Sequence, residues 1–442
     1  MPSLRFCSGS IFAFACLTGL GVAIPAPAND AVKVTRIPLT GQPVADDSVF
    51  HFLEQEIVQT NVKYGVLSRQ QAQVQLRALA DRLKHQAATP PPANGTHSST
   101  AHRRDGTIAH PLYNHNNVMY YGSVQVGTPG QAFQVVFDTG SADFWIPSTR
   151  CDSLVCSVKH RFDSHESSTY EAGSNTFYVR YGTGSVEGIQ SWDTTRLGAI
   201  SVPRQPFGES TELDSFFSRV PMDGIVGLAY SALSKSNSET LFERMVRLGL
   251  LAEPIFSFYV SPQPNQGGSE MILGGVDAAR FQAPLLYVPV VKRKYWEVEL
   301  RGMTVGGGNA GRRPKQGASD SPLDLQAQTA IIDTGTTLIL MNEGDADTVN
   351  AAVGASRDGS SGKLYSITCD TSSLPAVTLH LGDYSFSLPP EAYVVPGRDG
   401  SCSTGFSVSS MPTQWIVGNT FLRYYYSVYD ASSHRVGFGK SI

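Results

Sequence analysis

From Tyr120 onward the chain is written in short runs of apolar and β-branched residues separated by Gly, Pro and small polar residues. Val124-Gln125-Val126 and Gln134-Val135-Val136-Phe137 read as strands, and residues 177–181 and 255–260 continue the pattern. The period changes clearly once, at residues 239–248, which predict a helix with Gly249 as its stop. Ahead of residue 105 the pattern is different. Residues 11–24 are mostly apolar, residues 70–79 are Gln- and Ala-rich and read as helical, and residues 88–100 are polar with Pro90-Pro91-Pro92. That leader ends at Arg103-Arg104.

The patterned region repeats itself. Val136-Phe137-Asp138-Thr139-Gly140-Ser141 recurs as Ile331-Ile332-Asp333-Thr334-Gly335-Thr336, and Ile225-Val226-Gly227 recurs as Ile416-Val417-Gly418. The intervals 138 to 225 and 333 to 416 are nearly equal. Upstream, the run from Tyr121 to Gly127 is matched by the run from Trp296 to Gly306, with a Pro- and Gly-containing insertion at 307–328 in the second half. Such self-similarity predicts an all-β chain of two related lobes with few short helices, each lobe carrying one aspartate at an equivalent strand end. The predicted division is 1–23 signal peptide, 24–104 prosegment, 105–290 first lobe and 291–442 second lobe.

Length and composition agree with this division. The chain has 442 residues, too many for one compact core, with 41% hydrophobic residues, 16% charged residues and 42 glycines. Arg5, the apolar run and the small residues and prolines of 23–28 read as a signal peptide cleaved within 20–28, which predicts secretion. A vacuolar or lysosome-like compartment is the alternative destination. The apolar run is too short and too broken for a membrane anchor. Charge is unevenly divided: residues 24–104 carry nine basic against six acidic residues, whereas 105–442 carry 24 basic against 32 acidic. A basic leader on an acidic body suits an electrostatically docked prosegment that inhibits its own chain.

Four cysteines lie outside the signal peptide: Cys151, Cys156, Cys369 and Cys402. In an oxidising compartment they are expected to form disulfides, and loop closure favours the neighbour pairs 151–156 and 369–402 among the three pairings. No CxxC or His-rich spacing suggests a metal site.

The two Asp-Thr-Gly triplets carry the chemistry. A buried strand followed by Asp and Gly puts a carboxylate in a tight turn. Two equivalent turns in two equivalent lobes predict carboxylates meeting at a two-fold axis. Carboxylates about 3 Å apart share one proton, so one acts as base and the other as acid. The base takes a proton from a water that attacks the peptide carbonyl, and the acid protonates the carbonyl oxygen. That chemistry requires no metal, no cofactor and no covalent intermediate. Thr139 and Thr334 offer hydroxyls across the lobe boundary, Ser141 and Thr336 lie within reach of their own carboxylates, and Gly140 and Gly335 leave room for backbone amides.

A single triplet is weak, but the pair with its downstream glycines is specific. The stretch Gly127-Thr128-Pro129-Gly130 through Asp138-Thr139-Gly140-Ser141-Ala142-Asp143-Phe144-Trp145-Ile146-Pro147-Ser148 resembles the pepsin family, in the style of its fungal secreted members. So do Tyr181-Gly182-Thr183-Gly184-Ser185, Asp223-Gly224-Ile225-Val226-Gly227-Leu228 and Trp415-Ile416-Val417-Gly418. The resemblance covers about residues 118–442. It implies an aspartic endopeptidase with catalytic Asp138 and Asp333, a long cleft, and a hairpin flap bearing Tyr181, Gly182 and Thr183, with Trp145 supporting Tyr181. It implies that Phe216, Phe217, Met222 and Ile225 line the pocket for the residue before the scissile bond, favouring Phe, Leu or Tyr there. Thr183 stands where some relatives carry an acidic residue that accepts Lys, so Lys is disfavoured. Lys63, with Arg82 and Lys84 as rivals, is a candidate for the leader side chain that reaches the aspartates. The expected partners are polypeptide substrates and the prosegment, with no nucleic acid and no membrane anchor, and the expected state is a monomer. Catalytically silent relatives are disfavoured because both triplets and Tyr181 are intact.

Overall fold

The computed structural model describes residues 35–41, 112–115, 119–181, 184–261, 268–306, 322–357, 364–397, 400–409 and 411–442. The predicted signal peptide, Lys63, Arg82, Lys84, Arg103, Arg104, Gly182, Thr183 and most of the 307–328 insertion lie outside these residues.

The repeat seen in the sequence is a repeat of strand pairing. In the first half, Gln131–Asp138 pairs antiparallel with Met119–Val126 and parallel with Gly224–Gly227, so that Asp138 faces Gly227. Phe144–Pro147 then runs antiparallel to Gly224–Gly227. In the second half, Thr329–Ile332 pairs antiparallel with Trp296–Val305 and parallel with Gln414–Val417, and Ile339–Met341 runs antiparallel to that last strand. Each aspartate thus leaves a strand that is flanked on both sides, and these strands are apolar on both faces, as doubly covered strands must be.

The glycines of the downstream repeats have a steric reason. A Cβ on Gly227 would stand 2.5 Å from the Ala142 carbonyl carbon, and one on Gly418 would stand 2.2 Å from the Thr336 carbonyl oxygen. Both glycines let a strand pass directly against the loop that follows each aspartate.

A long sheet joins the halves. Ile255–Tyr259 pairs with Ser269–Leu273 and with Tyr425–Asp430, which pairs with Arg435–Ser441 and through it with Phe281–Arg293. That last strand runs through residue 290, where the sequence reading ends the first lobe. Phe256, Trp296 and Tyr429 pack over the joint, with Phe256 and Tyr429 stacked at 4.7 Å and Trp296 edge-on to Phe256 at 5.6 Å.

Thr35–Gly41, inside the leader, is also a strand of this sheet. It runs antiparallel to Ser269–Leu273, with Ile37 opposite Met271, and parallel to Leu112–His115 at its end. Its alternation of Ile37 and Leu39 around Pro38 was masked in the sequence by the polar leader around it.

Helices are few and short. Leu241–Arg247 fills the predicted helical stretch and is closed at its start by a reciprocal pair between Thr240 and Glu243. Glu343–Ala352 is capped by the Asn342 side chain. Cys151 is bonded to Cys156 and Cys369 to Cys402. No helix among the described residues is long and apolar enough to cross a membrane.

Candidate active site

Asp138 ends the strand Gln131–Asp138, and Asp333 follows directly on Thr329–Ile332. Both are almost wholly buried, at 2% and 0% exposure. Burying two carboxylates is costly unless each is hydrogen-bonded, and here the bonds are supplied twice over by the repeat. Gly140 N–H donates to Asp138 Oδ1 at 2.9 Å and the Ser141 hydroxyl to Oδ2 at 2.5 Å. Gly335 N–H donates to Asp333 Oδ1 at 2.8 Å and the Thr336 hydroxyl to Oδ2 at 2.7 Å.

The two turns are locked to one another through their threonines. Thr139 N–H donates to Thr334 Oγ1 at 3.0 Å, and Thr334 N–H donates to Thr139 Oγ1 at 2.9 Å. Each hydroxyl then donates onward, Thr139 to the Ile332 carbonyl at 2.8 Å and Thr334 to the Phe137 carbonyl at 2.7 Å. The arrangement is two-fold symmetric and brings the carboxylates together. A Cβ added at Gly335 would lie 2.3 Å from Asp138 Oδ1 and 3.3 Å from Asp333 Oδ1, so this one α-carbon borders both. Any side chain there would occupy the space between the acids.

Above Asp138 lies an aromatic layer. Trp145 Nε1–H donates to the Tyr181 hydroxyl at 2.7 Å. Tyr181 is also hydrogen-bonded to Ser141, which links Trp145, Tyr181, Ser141 and Asp138 in one chain. Burial, reinforced by the charges of Asp143 and Asp138, pushes the Tyr181 phenol well above its ordinary value, so it stays protonated. Phe216, Phe217, Met222 and Ile225 share one buried cluster with Trp145 and Tyr181. Phe217 meets the Trp145 ring edge-on at 5.2 Å and Phe216 at 5.3 Å. The structure therefore gathers the predicted catalytic, dyad-supporting and pocket residues that it describes into two adjoining groups, the acid turns and this aromatic cluster, while the Cys369–Cys402 disulfide lies apart from both.

Architecturally similar polar residues escaped the sequence reading. Asp143, one position past Ala142 and 3% exposed, accepts from the Lys235 N–H at 2.9 Å and from the Ser236 hydroxyl at 2.7 Å, and so ties the 234–236 loop beneath the first acid turn. Asp345 does the equivalent work in the second half, accepting from Trp415 Nε1–H at 2.8 Å and Ala327 N–H at 3.0 Å. Asn419 Nδ2 reaches the Thr334 carbonyl at 3.3 Å.

The model of the eukaryotic aspartyl protease family matches this chain over residues 119–441. The chain belongs to that family. It is 39% identical to pepsin A of Gallus gallus over 74% of its own length and 85% of that protein. It is 37% identical to cathepsin E of Aquarana catesbeiana, over 75% of this chain and 82% of the relative. Similarity to gastricsin of Suncus murinus is 36% identity over 76% and 85%. This eukaryotic aspartyl protease is accordingly an aspartic-type endopeptidase with the two-lobed, mainly β fold of its relatives.

Proposed function

We propose that this endopeptidase cleaves polypeptides at acid pH with Asp138 and Asp333 as its catalytic pair, and that it is secreted as a zymogen. The observation that carries the reading is the shared border at Gly335, where both carboxylates converge with their outer oxygens already bonded to their own turns. Two acids in contact favour the form with one proton between them, which exists in acid solution. The ionised member takes a proton from water as the oxygen attacks the scissile carbonyl. The protonated member gives its proton to the carbonyl oxygen. As the tetrahedral species collapses, the proton taken from water passes to the leaving nitrogen and the other carboxylate takes back a hydroxyl proton, so the amine leaves and the pair returns to its one-proton form. Ser141 and Thr336 each hold one carboxylate oxygen in place for that exchange.

Phe216, Phe217, Met222 and Ile225 form the pocket for the residue before the scissile bond, and its apolar walls select Phe, Leu or Tyr. Tyr181 carries the flap, and Gly182 and Thr183, which lie outside the described residues, are assigned backbone and hydroxyl contacts to substrate. The leader, through Arg104, is the prosegment. Hydrogen bonding of Thr35–Gly41 into the sheet of the body supports an intramolecular attachment before processing. Secretion rests on the N-terminal signal sequence. The direct test is hydrolysis of acid-denatured haemoglobin by the purified chain, with and without a statine-type transition-state analogue. Activity near pH ~4, where ordinary carboxylates titrate, and its loss with the analogue are expected. Cleavage that peaks at neutral pH and resists the analogue contradicts the proposal.

A further inference from the structure

Lys159 sits just past the disulfide-closed turn, where Leu154–Val158 presses Val155 and Cys156 into the same buried cluster as Phe217 and Met222. Its side chain is half-buried and turns inward. The ammonium donates to the carbonyl oxygens of Val220 and Met222, the latter at 2.7 Å. Among the described residues, the hydrogen bonds those two carbonyls accept come from this one ammonium.

The segment they belong to is a pocket wall with few other restraints. It begins at the Ser215–Arg219 turn, held by Asp214 accepting from Phe216 N–H at 3.1 Å. It ends at Asp223, which accepts from Gln134 N–H at 2.8 Å and from His160 N–H at 3.0 Å. Between those anchors the chain has no regular pairing, yet Val220 and Met222 are each only 3% exposed. Lys159 and its neighbour His160 therefore grip the same wall from one side, the first on its carbonyls and the second on its carboxylate. Burial lowers the Lys159 ammonium to about 8, against the raising effect of Asp223, and this still leaves it charged in acid.

We infer that Lys159 is a positioning residue that sets selectivity for the residue before the scissile bond, by fixing the Val220 and Met222 backbone and with it the Phe217 and Met222 side chains. The inference rests on the pocket reading under Proposed function. Charge-assisted bonds are among the stronger hydrogen bonds, and losing this ammonium leaves two buried carbonyl oxygens unmet, which lets a wall of this kind move. A loosened wall grips a large ring less well but changes little for a methyl group, which does not reach it.

The test uses the full chain after acid treatment and two peptides that differ only in Phe or Ala before the scissile bond. Concentrations are normalised by titration with a tight-binding transition-state analogue. Lys159→Met is expected to lower the Phe-to-Ala ratio of kcat/KM by about tenfold, mainly through KM for the Phe peptide, the equivalent of ~1.4 kcal/mol. Lys159→Arg, which keeps charge and donors, should stay within about threefold of wild type on the same scale. Should Lys159→Met not accumulate as folded protein, Lys159→Gln removes the charge and is judged by the same ratio. Phe217→Ala is the control for the pocket itself. An unchanged ratio in the Lys159 variants alongside a changed ratio in Phe217→Ala overturns the role of Lys159 and leaves the pocket standing. An unchanged ratio in all of them removes the pocket assignment and this inference with it.

Discussion

Thr139 and Thr334 do for the two aspartates what neither strand end does alone. Each hydroxyl accepts the other turn's N–H and donates to a carbonyl just before the other aspartate. Valine has nearly the same shape without the hydroxyl. Thr334→Val would therefore leave the Phe137 carbonyl and the Thr139 N–H buried without that partner. Each such group costs about 1–3 kcal/mol, so a total loss of roughly 2–6 kcal/mol in urea unfolding is expected, with reduced kcat. A change below about 0.5 kcal/mol, the scatter of ordinary surface substitutions, would show that the threonines do not lock the turns. The aspartates and their threonines were legible in the sequence because the motif occurs twice with matched spacing. Lys159, Asp143 and Asp345 were not. Each is one polar residue whose partners lie many positions away, as with Lys159 and Met222 or Asp345 and Trp415, and no local period marks such a pairing.

Among the elements, the helix Leu241–Arg247 is only two turns long and depends on its ends. Thr240 accepts from Glu243 N–H at 3.1 Å while Glu243 reaches back to the Thr240 N–H. Arg247 and Arg244 hold the Glu239 carboxyl below its ordinary range at the same end. Thr240→Ala should lower stability by about 1 kcal/mol in thermal or chemical unfolding, and no change would show the cap to be idle. The hairpin joining Tyr425–Asp430 to Arg435–Ser441 carries a pH dependence. Burial alone would raise the Asp430 carboxyl, but bonds from Ser432, the Ser433 N–H and Arg435 outweigh it and hold Asp430 below its usual value. A depressed folded-state value means stability that is fully present above the unfolded value near 4 and is lost as pH falls through the folded value. The melting-temperature gap between wild type and Asp430→Asn should thus be open at about pH 6 and narrow toward about pH 2. A gap that widens in acid would contradict this sign. The helix was readable from its period. The strand Thr35–Gly41 was not, because its pairing partner, Ser269–Leu273, lies in a distant part of the chain and only the folded sheet brings them together.

Over the whole molecule, charge and topology combine in the proposed zymogen. The leader is basic and the body acidic, and one leader strand is paired into the body's sheet. Toward pH ~4 the body's carboxylates begin to protonate while the leader's histidines have already gained charge, so the attraction weakens. The purified proform should be inactive near pH 7 and convert by itself near pH ~4, where carboxylates titrate. Proform carrying Asp138→Asn should not convert. Electrophoresis with N-terminal sequencing of the product checks both, and full activity at neutral pH with the leader attached would rule the model out.

The claim beneath all of this is that Asp138 and Asp333 act as one unit. Its most direct measurement is kcat/KM for Asp138→Asn, Asp333→Asn and the double variant, each shown to be folded by circular dichroism. Groups that share one proton transfer fail together, so each single variant should lose about as much activity as the double, by a factor on the order of 10⁴ or more. A folded single variant that keeps activity within about tenfold of wild type, or losses that simply multiply in the double variant, would show that the two carboxylates do not form a catalytic pair.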